Sequence, residues 1–525
     1  GAFTPPSPPA IPSPPGSPPP PNPPGHPPSI PKPPSPPLPP ASPPPTPPPL
    51  FSVSGRAVDG PLGACTAFYD ADGDGELGLD EPTPNQFEGG RAWQPGLTDG
   101  KGRFEINVDL APLSNLPTLL EPTATSIVVD PYVYLGLNYT QGAKDIREGA
   151  PSVTARGGHL LLRCNDTRGR GAVVGACACR DRYTGLYQRL KLASVPGQTM
   201  VSPFSQLSAS MLQYMEDEGD NDDVVLFEEK MELVAAKLAT SLGVEKSDGR
   251  APGGILVRLA DGFAKLQEIV LDIPNYDPYA AIDGAMDGSD RYDGVVALQL
   301  LISMAKVSSL STQLAYILTG LRATHTGLDA NHAGKLNFEL RQEGAVAYYA
   351  VAEILAANTL NATNDAVDDG VLTDLLQQAM VKQGLGLGLA SLPSGISASL
   401  RRGISACMTQ YDSDLLYPGE DGQRTLPINY TENSADGQAR GENGVLQGEV
   451  NANLTSRISP EEIIALQELT FEVTRTAYVC NGMLPDKMQE LVRGVLSPAD
   501  FDALLSPAAF DTALSDAEQL VLLQD

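Results

Sequence analysis

Apolar and polar positions change rhythm twice along the chain. From Phe51 through Val53 to Val58 they alternate, break at Gly60, Pro61 and Gly63, and resume through Cys65, Ala67 and Phe68-Tyr69. Successive side chains of a strand point to opposite faces, so this pattern predicts strands joined by turns. The segment Thr98-Asp99-Gly100-Lys101-Gly102 is a second turn, leading into a further strand through Phe104 and Ile106. From about residue 202 the period lengthens. Val225, Phe227, Met231, Val234, Leu238 and Leu242 fall on one helical face, and residues 255–271, 295–321, 345–357 and 370–381 read likewise. Four helices are expected to start at Ser-Pro pairs: Ser202-Pro203, Ser459-Pro460, Ser497-Pro498 and Ser506-Pro507. Serine caps free amides, and proline at the first helical position loses no hydrogen bond. Ser459-Pro460-Glu461-Glu462 is a full capping box. Residues 417–456 turn Gly/Asn-rich, a long loop or a small β excursion.

Before Phe51 there is no such rhythm. Residues 1–50 hold 28 of the 49 prolines, in Ser-Pro-Pro and Pro-Pro-Pro runs. Proline fixes φ and removes the amide donor, which leaves polyproline II at about 3.1 Å per residue, or roughly 140 Å for forty-five residues. A spacer or a ligand for a proline-recognition domain is one reading. Runs of this density also resemble the hydroxyproline-rich glycoproteins of plant and volvocine algal walls. That resemblance implies hydroxylated prolines carrying short O-linked arabinose or galactose chains.

The charge of 35 − 64 = −29 argues against nucleic acid, because no basic cluster displaces phosphate counterions. It suits a calcium-rich extracellular setting. With 41% hydrophobic residues the remaining 475 positions can build cores. No membrane span is expected, since the most apolar stretch, residues 295–310, carries Lys306 and several serines. Gly1, in place of an initiator Met, reads as a mature start after cleavage of a leader.

The most specific motif is Asp70-Ala-Asp72-Gly-Asp74-Gly75-Glu76-Leu77-Gly78-Leu79-Asp80-Glu81, which fits D-x-D-x-D-G-x5-E without a gap. Asp70, Asp72 and Asp74 stand at loop positions 1, 3 and 5. Gly75 permits the turn, Glu76 offers its carbonyl, and Glu81 offers both carboxylate oxygens. An acidic turn without metal is the alternative. The flanks read as strands, not as an EF-hand helix pair, so the expected Ca2+ is structural, with Asp99 as a further donor from the facing turn. The acidic run 216–223 lacks this spacing and reads as a solvated loop.

The series Val53-Ser-Gly-Arg-Ala-Val58-Asp-Gly60, the calcium loop, Glu81-Pro82 and Thr98-Asp99-Gly100-Lys-Gly102-Arg-Phe104 resembles a module of large bacterial surface, adhesin-like proteins. Thr199-Met-Val201-Ser-Pro203-Phe-Ser-Gln-Leu207, Asn275-Tyr276-Asp277-Pro278 and residues 297–307 extend the likeness to about residue 320. The resemblance implies a β-sandwich followed by helices, without chemistry. The expected fold is therefore α+β: a polyproline II tail (1–50), a β-sandwich with an inserted EF-hand-like calcium loop (51–200), and a large α-helical region (201–416). A long loop with C-terminal helices (417–525) packs on the latter.

N-glycosylation sequons of the form N-x-S/T occur at Asn138, Asn165, Asn361, Asn429 and Asn453. The six cysteines, Cys65, Cys164, Cys177, Cys179, Cys407 and Cys480, suit three disulfides and an oxidising compartment. Cys177 and Cys179 are too close for an easy mutual bond, so each is expected to pair elsewhere, with Cys65 and Cys164 as candidates. Cys407 and Cys480 are expected to pair with each other. Zinc at Cys177 and Cys179 is the alternative, weakened by C-x-C spacing and a lone nearby His159.

Nucleophile elbows, phosphate loops, H-E-x-x-H and dinucleotide fingerprints are missing from the sequence, so no enzyme is expected. The sequence reading is a secreted, non-enzymatic structural glycoprotein of a cell surface, wall or fibre. It carries N-glycans and O-glycans and assembles with itself head-to-tail. The alternatives are a calcium-dependent adhesin or carbohydrate-binding protein on a glycosylated stalk, and a secreted hydrolase.

Overall fold

The computed structural model describes residues 50–63, 65–70, 98–109, 126–130, 133–135, 153–156, 159–162, 179–195, 198–217, 275–286, 291–326, 333–356, 392–414, 417–418, 424–425 and 460–522, with a few positions between 230 and 238 and between 377 and 380. The chain separates into Gly1–Pro47 and Pro48–Asp525. The first unit, and with it the polyproline II expectation, lies outside the described residues.

In chain order the strands are β1 (Leu50–Ala57), β2 (Leu62–Gly63), β3 (Thr66–Asp70), β4 (Arg103–Asp109), β5 (Ser126–Asp130) and β6 (Val133–Leu135). There follow β7 (Val153–Arg156), β8 (His159–Leu162), β9 (Arg180–Asp181), β10 (Leu192–Ala193) and β11 (Met200–Val201). The helices are α1 (Pro203–Asp217), α2 (Pro278–Met286), α3 (Arg291–Thr326), α4 (Ala333–Ala356) and α5 (Ser394–Asp414). A short hairpin, β12 (Tyr417–Pro418) with β13 (Arg424–Thr425), precedes α6 (Pro460–Ala477), α7 (Leu484–Val492), α8 (Pro498–Leu504) and α9 (Pro507–Leu522). A π-helical turn, Tyr478–Met483, joins α6 to α7. The architecture is mixed α+β.

β1 forms where the two-residue alternation places a strand. It pairs antiparallel with β4 along its length, Val53 opposite Ile106, and parallel with β11 through Arg56 and Ala57. β5 pairs antiparallel with β3 on one side, Phe68 opposite Val128, and with β10 on the other. Smaller sheets join β2 to β9 and β6 to β8 to β7.

Four helices, α1, α6, α8 and α9, each start at the proline of a Ser-Pro pair. At α1 the cap is reciprocal. The Ser205 amide donates to Ser202 Oγ at 3.1 Å, and the Ser202 amide to Ser205 Oγ at 2.8 Å. At α8 the Asp500 amide donates to Ser497 Oγ at 3.1 Å. The described positions of 230–238 and 377–380 are helical as well. α3 runs the whole of the expected 295–321 and a turn beyond at each end. It is buried on all sides, against α2, α4, α5, α6 and α7, as a central helix must be if it is apolar all round. One core links Ala57, Leu62 and Ile106 to Phe204 and Leu207 of α1, to Leu300 and Ile317 of α3, and to Leu466 and Leu491. That core is continuous across residues 200 and 416.

Two disulfides tie it down. Cys65 is bonded to Cys179, and Cys407 on α5 to Cys480 in the π-helical turn, all four buried. Cys164 and Cys177 lie outside the described residues. Among the described residues no helix is long and apolar enough to cross a membrane.

Candidate functional site

The expected calcium loop starts at the end of a strand. Asp70 is the last residue of β3, buried opposite Ser126 of β5. Asp72, Asp74, Glu76 and Glu81 fall in residues 71–97, outside the described residues, as do the sequon asparagines Asn138, Asn165, Asn361, Asn429 and Asn453. The far end of that segment is pinned back beside its start. Thr98 Oγ1 donates to the Leu62 carbonyl at 2.5 Å and accepts from the Cys65 amide at 3.0 Å, while the Thr98 amide donates to the Cys65 carbonyl at 2.8 Å. Asp99 is committed to its own turn. Its Oδ1 accepts from the Lys101 and Arg103 amides, both at 2.8 Å, and its Oδ2 from Arg103 Nε at 2.9 Å. Slight burial works against ionisation there, but these donors outweigh it and hold the carboxyl below the usual range. Among the described residues no three His, Cys, Asp or Glu side chains converge to hold a metal.

A different cluster is built at the seam between the sheets and α3. After β1 the chain reverses through Val58-Asp59-Gly60-Pro61, with Gly60 at φ +70°. Only a residue without Cβ fits there, because a Cβ would stand 1.7 Å from Asp181 Oδ1. Asp59 therefore lies beside the turn that follows β9. In that turn Asp181 Oδ1 accepts from the Tyr183 amide at 2.8 Å, and Oδ2 from the Thr184 amide at 3.2 Å and from the Thr184 hydroxyl.

The opposite wall comes from α3 and the π-helical turn. Ser308 Oγ donates to Asp59 Oδ2 at 2.8 Å and accepts from Asn481 Nδ2 at 3.4 Å. Asn481 Oδ1 in turn accepts from the Ser309 hydroxyl. That uses the one proton of Ser309, so the Tyr411 hydroxyl, 2.7 Å away, is the donor to Ser309 Oγ. Every hydrogen bond from Tyr411 to Asp59 thus links groups around the one amide of Asn481. A π-helical turn widens the backbone by one residue and is common where a side chain is aimed into a site. The neighbouring Cys480 is fixed to α5, so the turn is held in place.

Between these walls lies a cleft of about 30 Å³, bordered by Asp59, Asp181, Thr184, Leu186, Thr312 and Asn481. Burial pushes Asp59 up to about 6, with Ser308 pulling partly the other way. Burial likewise pushes Asp181 up to about 7; the charge of Asp59 adds to this, and the Thr184 and Tyr183 donors oppose it. The phenols of Tyr279 and Tyr348 are buried nearby and lie well above their ordinary range, first through burial and then through these carboxylates. Two carboxyl groups in low dielectric are costly as bare charges. They are stable as a proton-holding pair or around a cation.

None of this cluster stands among the sequence-derived site residues. Neither Asp59 nor Asp181 stands in a motif of recognisable spacing. The one visible sign is the hydroxyl run Ser308-Ser309-Leu310-Ser311-Thr312 inside the central helix α3, all buried. No family model matches the chain, and no characterised protein or solved structure matches it.

Proposed function

We propose that the chain is a non-enzymatic extracellular structural glycoprotein. A proline-rich rod carries the folded head, and subunits join head-to-tail into a fibre or surface layer. The observation that carries this reading is the place of β1, next in sequence to the proline-rich segment and paired along only part of one edge among the described residues. Pro49 precedes β1 directly, β4 covers one edge of β1, and among the described residues β11 pairs only with Arg56 and Ala57 on the other. In this reading the edge of residues 50–54, which no strand pairs among the described residues, takes a segment from a neighbouring copy by strand addition. A contact passed from each subunit to the next does not close and yields a filament.

Other features agree with it. Two buried disulfides suit an oxidising compartment. In this reading the β11-β1-β4 and β10-β5-β3 sheets are the layers of a small sandwich, braced by structural Ca2+ in the 70–81 loop between β3 and β4. N-glycans on the five sequons and O-glycans on the rod coat the assembly.

The test is electron microscopy and light scattering of the secreted full chain beside a variant lacking residues 1–49. Filaments from the full chain and dispersed single heads from the variant are expected. Dispersed full-length protein at high concentration would overturn self-assembly. Filaments that persist without the rod would remove the rod as connector.

A further inference from the structure

We propose that the outer face of the β2–β9 pair binds an acidic polysaccharide, holding its uronate carboxylates on Arg180, Arg182 and Lys101. The proposal adds a ligand to the folded head and does not rest on self-assembly.

No basic cluster stands in the sequence, and the fold makes one. β9 pairs antiparallel with β2, Arg180 opposite Gly63. Asp181, between the two arginines, is buried, so Arg180 and Arg182 project from the opposite face, and both are exposed. The turn before β4 lies alongside. A Cβ on Gly100 would stand 3.5 Å from a guanidinium nitrogen of Arg182, and the exposed Lys101 is next in sequence. Three cations from two distant segments thus meet in a chain of net charge −29. On so acidic a chain a positive face is a local exception, and it attracts anions that the rest of the surface repels.

These cations are also unspent. Their neighbours Arg56 and Arg103 each pair with a carboxylate, Asp277 and Asp99 respectively. Among the described residues Arg180, Arg182 and Lys101 pair with none. The two guanidinium groups nevertheless have fixed places. That of Arg180 lies 4.1 Å from the centroid of the Tyr187 ring and donates to the Tyr187 hydroxyl. That of Arg182 lies over glycine: a Cβ on Gly63 would stand 2.7 Å from its Nε, so Gly63 leaves the room it occupies. A side chain already ordered loses less entropy on binding. The planar fork it presents grips a carboxylate with two parallel N–H···O bonds.

The arrangement selects the ligand. The two arginines are rooted about 6.6 Å apart along the chain, with Lys101 beyond Gly100. Charges in a row suit a polymer that carries one carboxylate on each unit. The glycine floor has no apolar side chain to anchor a protein partner. The buried Cys65–Cys179 bond, next to Arg180, suits an oxidising compartment, where the polyanion to be met is a polysaccharide rather than a nucleic acid.

The test titrates a short oligogalacturonate into the full chain by calorimetry over a series of NaCl concentrations. Saturable binding that weakens with salt is expected. Arg180→Gln and Arg182→Gln should each weaken it about threefold, as the loss of an exposed ion pair does, and lower the log–log salt slope by about one. The double variant should lose about tenfold. Both residues are exposed, so an unchanged melting temperature checks that each variant is folded; Arg180→Gln reports even if Arg182→Gln disturbs the packing at Gly63. Lys487→Gln on α7, a cation already paired with Glu490, should leave binding as it is. Absence of binding at low salt overturns the proposal, and so does an affinity unchanged in the double variant. A loss in Lys487→Gln equal to that in Arg182→Gln also overturns it, since binding would then follow overall charge. Tighter binding of a single-stranded oligonucleotide than of the oligogalacturonate overturns it as well.

Discussion

Gly60 and Gly494 share a left-handed backbone, with φ of +70° and +71°. Around Gly60 the structure is full: a Cβ would meet the Asp181 carboxylate at 1.7 Å. Around Gly494 a Cβ would meet nothing within 4 Å. Gly494 ends α7 in a Schellman arrangement, its amide donating to the Leu491 carbonyl at 3.0 Å and the Val495 amide to the Glu490 carbonyl at 2.9 Å. All of its partners lie within five residues. Gly60 is required by a residue 121 positions away. The C-terminal helices are specified by neighbours in sequence, and the seam by convergence of distant segments. Damage should therefore stay local in the first region and spread in the second.

The largest expected effect lies at the base of the seam. The Cys407–Cys480 bond spans 73 residues and fixes the turn that presents Asn481. Replacing both cysteines by Ser removes about 4 kcal/mol on the chain-entropy account. Differential scanning calorimetry should show it as a lowered Tm. If the C-terminal helices alone loosened, hydrogen exchange would rise in 460–522 and stay unchanged at 58–60, and the seam would not be the coupled region.

Gly60→Ala comes next. A positive φ costs an alanine about 1–2 kcal/mol, and crowding Asp181 adds about 1–3 kcal/mol. A loss of about 3 kcal/mol in denaturant unfolding is expected. A loss below about 1 kcal/mol would mean that Asp181 moves aside freely and that the seam is not tightly specified.

The contrast explains what was legible in the sequence. The Ser-Pro starts of α1, α6, α8 and α9 are local signals, read within four residues. So are the strand at β1 and the turn before β4, where Asp99, Gly102 and Arg103 lie side by side. The long apolar period of α3 marks it as central. The seam has no such window. Asp59, Asp181, Ser308, Thr312 and Asn481 are separated by up to 422 residues and carry no motif spacing. Only the hydroxyl run within α3 hinted that something polar must be met there.

Asp414 offers the counterpart within the helical region. It closes α5, with Gln410 Nε2 donating to its Oδ1 at 3.0 Å and Thr476, Glu472 and Arg475 of α6 facing it. Burial pushes it up to about 6, against the nearby Thr476 hydroxyl and the donation of Gln410; the charge of Glu472 adds to the rise and that of Arg475 opposes it. Its unfolded value is 3.8. Below both values the group is protonated in both states and costs nothing. Between about pH 4 and pH 6 the folded state holds the proton longer, so stability falls as pH rises, and above pH 6 the loss is complete. A shift of roughly two units corresponds to about 2–3 kcal/mol. Asp414→Asn should therefore flatten this part of the stability profile and raise stability at pH 7 by about 2 kcal/mol. A variant no more stable at pH 7, with the same slope between pH 4 and 6, would remove Asp414 as the source.

Gly494→Ala is the smallest effect and the sharpest check on the contrast with Gly60. The positive φ costs an alanine about 1–2 kcal/mol, as at Gly60. The crowding cost is missing, since the position faces open space. Alanine also restricts the unfolded chain, which returns about 0.4–1 kcal/mol. The net loss should be about 1 kcal/mol or less, with faster exchange confined to the last turn of α7 and the 493–497 link. A loss equal to that of Gly60→Ala would show that the C-terminal helices depend on one another as tightly as the seam does. The division between a locally specified end and a convergent centre would then fail.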